Sequence, residues 1–255
     1  TVALDWWYPS LDGSLVAYGL SEGGDEQSTL SVIDVSTGAH LPDRIPRTRA
    51  ASVAWLPDGS GFFYTRYPEP AGQGNGHYDR HVFFHALGAD PATDADVFGA
   101  GRSPQDWPGV DLSPDGRFLL VTVQQGWSKS EMYVCDLAAE ANPRRPSAFV
   151  PIAEGIDARF FGDVYDGVIY LTTNLDAPNS KVVAVDPLRP EREAWRELVP
   201  ERDDVALEYA GVIAARLAVV ALQRASSLLE VYRLDGARER SNLLPGICLL
   251  YTSPS

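Results

Sequence analysis

The stretch VDLSPDGRFLLVTVQ, residues 110–124, sets two apolar runs on either side of Asp115-Gly116. Asp-Gly between alternating apolar residues is a strong hairpin signal, because both turn positions tolerate positive φ. The same shape recurs along the chain. It appears in YPSLDGSLVAYGL (8–20), VAWLPDGSGFFYTRY (53–67), FGDVYDGVIYLTTN (161–174) and, with Ala215-Arg216 in place of Asp-Gly, YAGVIAARLAVVAL (209–222). The Asp residues of the pairs stand at 12, 58, 115 and 166, so the unit repeats about every fifty residues.

Each hairpin is followed by a further strand-like run ending in its own turn: STLSVIDVSTG, RHVFFHALGAD, SEMYVCDLAAE, SKVVAVDPLRP and SSLLEVYRLDG. These runs are rich in the β-branched and aromatic residues that strands prefer. Helical periodicity is nearly absent, and PEREAWREL (190–198) is the one segment suited to a short helical turn. Three to four strands per ~50 residues, repeated, mark an all-β β-propeller. A sandwich would give short strands without the repeated unit.

Composition narrows the function. The 255 residues are 45% hydrophobic, as in an ordinary folded domain, and carry a net charge of -14. No basic cluster exceeds Arg144-Arg145, so nucleic acid is not the expected partner. No apolar run approaches the ~18 residues of a membrane span. Cys135 and Cys248 lack metal-type spacing and read as free, buried thiols of a reducing compartment, which places the protein in the cytoplasm.

Several motifs invite chemistry. Gly19-Leu20-Ser21-Glu22-Gly23 fits G-x-S-x-G, the nucleophile elbow of serine hydrolases. A working elbow needs a strand, a sharp turn and a helix. SLVAYG supplies the strand, but GDEQSTLSVIDV leads into another strand. Ser21 is therefore expected in a solvated hairpin loop, with Gly23-Gly24 as its turn, and not as a nucleophile. No catalytic residue is assigned to this chain.

His77, His81 and His85 recur every four residues, as zinc ligands on a helix would. HVFFHAL reads as strand, where His81 and His85 stand about 13 Å apart, too far to share one ion. They are read as structural or surface histidines. Asp203-Asp204 and Glu22, Asp25 and Glu26 lack the regular oxygen spacing of a calcium loop. No metal or cofactor is expected. The Gly/Pro-rich segment PEPAGQGNGHYDRH (68–81) reads equally as a plain inter-strand loop or as a flexible element beside a substrate entrance. Trp6, Trp7 and Trp55 are expected in the core, while Trp107 and Trp127, beside Pro and Gly, are candidates for an open surface.

The ordered series VAYGLSEGGDEQSTLSVIDVSTGAHLPD (16–43), RTRAASVAWLPDGSGFFYTRYP (47–68), HVFFHALGADPATD (81–94), DWPGVDLSPDGRFLLVT (106–122) and LVPERDDVALE (198–208) resembles the β-propeller domain of the prolyl oligopeptidases, serine peptidases that cleave short peptides after proline. The resemblance implies a seven-bladed propeller, of which about five blades are visible. It implies a cover over an α/β-hydrolase domain that carries Ser, Asp and His and is absent from this chain. The propeller would restrict passage to the active site between the domains, and the whole enzyme would be a monomer. By position, the propeller residues that reach a substrate would be Ala50, Pro108 and Trp127, with Ala50 departing from an expected aromatic and Pro108 from a typical apolar contact. Sister peptidases that cleave after basic residues or release dipeptides remain open.

Residues 1–244 are thus read as a partial propeller domain. Residues 245–255, ending in CLLYTSPS, are read as a non-native tail. The alternative function is a stand-alone propeller scaffold for protein–protein binding.

Overall fold

A computed structural model describes residues 1–68 and 78–243. Most of the Gly/Pro-rich segment, with His77, and the tail with Cys248 lie outside the described residues. Among the described residues, twenty strands form five four-stranded sheets, each built from consecutive strands. The first contains β1 (Val2–Pro9), β2 (Leu15–Glu22), β3 (Thr29–Asp34) and β4 (His40–Ile45). The second contains β5 (Val53–Trp55), β6 (Gly61–Arg66), β7 (His81–Ala86) and β8 (Ala95–Phe98). The third contains β9 (Trp107–Leu112), β10 (Phe118–Gln125), β11 (Lys129–Asp136) and β12 (Val150–Ala153). The fourth contains β13 (Phe160–Tyr165), β14 (Val168–Thr173), β15 (Lys181–Val185) and β16 (Arg196–Val199). The fifth contains β17 (Ala206–Ile213), β18 (Arg216–Gln223), β19 (Ser226–Tyr232) and β20 (Arg238–Leu243). These are the blades of a β-propeller. In PEREAWREL a single 3-10 turn, Arg192–Ala194, precedes β16.

The chain divides into two compact units. One comprises residues 1–126 and 134–149, the other 127–133 and the described residues from 150 onward. In the first unit, Trp6, Ala17, Leu30, Val32 and Ile45 of the first sheet pack with Trp55, Phe62, Tyr64 and Phe83 of the second. In the second unit, Tyr170, Val182 and Ala184 of the fourth sheet pack with Leu207, Leu217 and Val219 of the fifth. β6 is buried on both faces, which is why GFFY is a continuous apolar run.

The Asp-Gly turns are of two kinds, which corrects the uniform reading from sequence. At 12–13, 58–59 and 115–116 the glycine is the fourth residue of a type I turn, its N–H donating to Ser10, Leu56 and Ser113 carbonyls at 2.9, 2.9 and 2.7 Å. Only the glycine takes positive φ there (+71°, +68° and +75°). The Asp side chain instead accepts from the backbone two residues on, at Ser14, Ser60 and Arg117. At 166–167 both residues are left-handed, and Tyr165 pairs directly with Val168, as a two-residue type I′ hairpin requires. The fifth hairpin has the same form, but its turn is Ala214-Ala215 (φ +48° and +56°), one residue earlier than Ala215-Arg216.

Two tryptophans separate. Trp6 and Trp55 are buried, their indole N–H groups donating to Thr48 O (3.1 Å) and Tyr8 O (3.0 Å). Trp7 is 63% exposed, contrary to the core assignment, because successive strand residues point to opposite faces and only Trp6 faces the second sheet.

Candidate functional site

Ser21 lies within β2 and not in a solvated loop. It is 2% exposed, and its Oγ donates to Asp5 Oδ1 at 3.0 Å; Ser28 Oγ donates to the other carboxylate oxygen. Among the described residues it has no histidine partner. The motif's glycines have their own reasons. A Cβ on Gly19 would sit 2.3 Å from the Trp6 ring, and Gly23 turns the chain after β2 at φ +65°. G-x-S-x-G is here the product of a packing contact and a turn.

The histidines have separate partners. His40 Nδ1 meets the Tyr18 hydroxyl at 2.7 Å, and His81 Nδ1 meets Asp96 Oδ2 at 2.7 Å. His85 is fully buried between Asp43 (Nε2, 2.9 Å) and Asp94 (Nδ1, 2.8 Å). Each ring nitrogen faces a carboxylate oxygen, an arrangement that favours the doubly protonated, cationic ring. Burial alone would push its pKa down. The hydrogen bonds and charges of Asp94 and Asp43 outweigh that and hold it above the ordinary histidine value. Tyr64 donates to Asp94 at 2.7 Å and Gly88 N–H to Asp43 at 2.6 Å, so the cluster ties β4 to the second sheet. No group of three or more His, Cys, Asp or Glu side chains among the described residues is placed to hold a metal.

Of the residues expected to face a substrate, Ala50 is exposed just before β5, with φ +44°. Its carbonyl accepts from Arg80 Nη2 at 2.7 Å, and the Arg80 guanidinium lies 4.6 Å from the Trp107 ring centroid. Burial pulls the Arg80 pKa down to about 10, so the group stays charged near neutrality. Pro108 is buried in β9 opposite Val123, and its neighbour Trp107 is the aromatic side chain that β9 exposes. Trp127, in the turn between β10 and β11, is fully exposed and belongs to the second unit. Around Ala50 the first unit therefore offers an aromatic surface backed by a cation. Sequence reasoning missed Arg80; its only signal is one basic residue at the mouth of the apolar strand HVFFHA.

Comparison with known proteins gives the architecture its relatives. The model of the prolyl oligopeptidase N-terminal β-propeller domain matches residues 1–252. A prolyl endopeptidase of Elizabethkingia meningoseptica is 30% identical over 75% of this chain and 27% of its own length. A prolyl endopeptidase of Elizabethkingia miricola is 26% identical over 92% and 32%. A structure from a mechanistic study of two prolyl endopeptidases superposes with a TM-score of 0.88 at 30% identity, covering 96% of this chain and 36% of that one. The chain thus spans about a third of the length of the curated relatives it matches.

Proposed function

The chain belongs to the prolyl oligopeptidase N-terminal β-propeller family, and we propose that it is the substrate-filtering portion of a serine endopeptidase acting on short proline-containing peptides. The family match over nearly the whole chain carries this reading. A separate α/β-hydrolase domain would supply the nucleophile, its base and the acyl-enzyme step. The propeller would admit short peptides and exclude folded proteins. The burial of Ser21 and its bond to Asp5 support a non-catalytic role for this portion. Trp107, backed by the buried Arg80 and with Ala50 at its margin, is the proposed substrate-facing surface of the first unit, and Trp127 is a separate proposed contact on the second.

The buried free thiol of Cys135, its pKa pushed up to about 12 by burial and Glu140, supports a reducing, cytoplasmic setting. We place the complete enzyme there as a monomer.

A chimera tests the proposal: residues 1–243 replace the matching segment of the Elizabethkingia meningoseptica prolyl endopeptidase. It should cleave a short proline peptide and spare a long unfolded protein. A folded chimera that cuts both at similar rates would contradict the filtering role.

A further inference from the structure

In the second unit, a groove of about 320 Å³ opens where β13 and β17 begin and β14 ends. Its walls include Arg159, Phe161, Thr172, Asn174, Ser180 and Glu208. Phe161 and Thr172 are cross-strand partners and so share a face.

Most polar groups around the groove are already used. Asn174 Oδ1 accepts from Arg159 N–H at 2.7 Å, Thr173 Oγ1 accepts from Leu175 N–H at 3.0 Å, and Asn179 is held through Glu201 and the Arg202 carbonyl. Thr172 is the exception. It is 7% exposed, and its buried Oγ1 has no hydrogen-bond partner. A buried hydroxyl left unpaired is destabilising, and such groups are rare in folded proteins.

Some charged side chains of this unit are paired, Arg202 with Glu230, Lys181 with Glu197 and Arg192 with Asp176. Neither the Arg159 guanidinium nor the Glu208 carboxylate has an ion-pair partner among the described residues. Phe161 adds a partly exposed aromatic face, and Ser180 holds the wall in a left-handed conformation (φ +66°) that a non-glycine residue adopts only under constraint.

We propose that this groove binds a small zwitterion, a free amino acid or a dipeptide. Arg159 takes the carboxylate, Glu208 the ammonium group, Thr172 Oγ1 a polar backbone atom and Phe161 an apolar side chain. The volume lies at the low end for ligand sites, which suits a small molecule. An orphan hydroxyl, two unpaired opposite charges and an aromatic wall converge on that one ligand class. The inference stands apart from the peptidase reading, since none of these groups depends on a hydrolase domain.

The test is titration of the full chain with alanyl-leucine by calorimetry, alongside its N-acetylated and C-amidated forms. The free dipeptide binds, and each blocked form binds about tenfold more weakly or worse, as loss of a charge-assisted hydrogen bond implies. Arg159→Gln and Glu208→Gln, both at exposed positions, lose affinity to the same degree. Thr172→Val removes the orphan hydroxyl with no change of shape, so its thermal midpoint holds or rises while binding falls. No binding to folded chain at about 10 mM, well above a millimolar Kd, would overturn the proposal. So would equal binding by wild type, Thr172→Val and Arg159→Gln.

Discussion

His85 Nε2 lies 2.9 Å from Asp43 Oδ1, and both side chains are wholly excluded from solvent. The pair joins two neighbouring sheets of the first unit, and removing one partner leaves the other buried and uncompensated. Asp43→Asn or His85→Gln should therefore lower unfolding free energy by about 3–5 kcal/mol. The pH dependence has a definite sign. The folded-state pKa of His85 is raised, so the contribution is full below the unfolded value near 6.5 and is lost as pH rises through the folded value. Urea unfolding at a series of pH values from 6 upward checks this. Wild-type stability should fall toward alkaline pH more steeply than that of His85→Gln, and parallel profiles would contradict it.

Gly19 faces the Trp6 ring so closely that any side chain forces the indole to move. Gly19→Ala should destabilise the first unit by about 1–3 kcal/mol. Denaturant melts of the variant test this, and an unchanged midpoint would show that the first sheet has slack the structure does not display.

The fifth hairpin turns on two alanines in the left-handed region, where each residue with a Cβ is strained. Ala214→Asn combined with Ala215→Gly supplies the residues a type I′ turn favours. Stability should rise by about 1 kcal/mol, read as a higher thermal midpoint. A lower midpoint would mean the turn lies elsewhere.

How much of this was legible in the sequence depends on the range of the interaction. The repeat of hairpin and further strand was plain, since alternation and turn residues are local. Turn type was not: Ser10, Leu56 and Ser113 each precede the Asp-Gly pair and accept the glycine N–H, a choice that strand register settles. Trp6 and Trp7 differ only in which face of β1 meets another sheet. Ser21 reads as a loop residue because Gly23-Gly24 follow it as a turn between two strands, while Trp6, apart from it in sequence, explains Gly19. Arg80 and Thr172 were invisible for a related reason. Arg80 matters through the Ala50 carbonyl and the Trp107 ring, and Thr172 through a bond it fails to make.

Trp127 exposes its whole indole in a hairpin turn. Trp127→Ser should leave unfolding free energy within about 0.5 kcal/mol of wild type. In the chimera it should raise KM for a short proline peptide with kcat little changed. An unchanged KM would remove Trp127 from the substrate surface.

The central claim, that this propeller serves a peptidase without cutting peptides itself, is tested most directly by assaying the purified chain on a proline-linked chromogenic peptide. No hydrolysis above buffer is predicted, with Ser21→Ala indistinguishable from wild type. Turnover by the pure chain that Ser21→Ala abolishes would contradict the account.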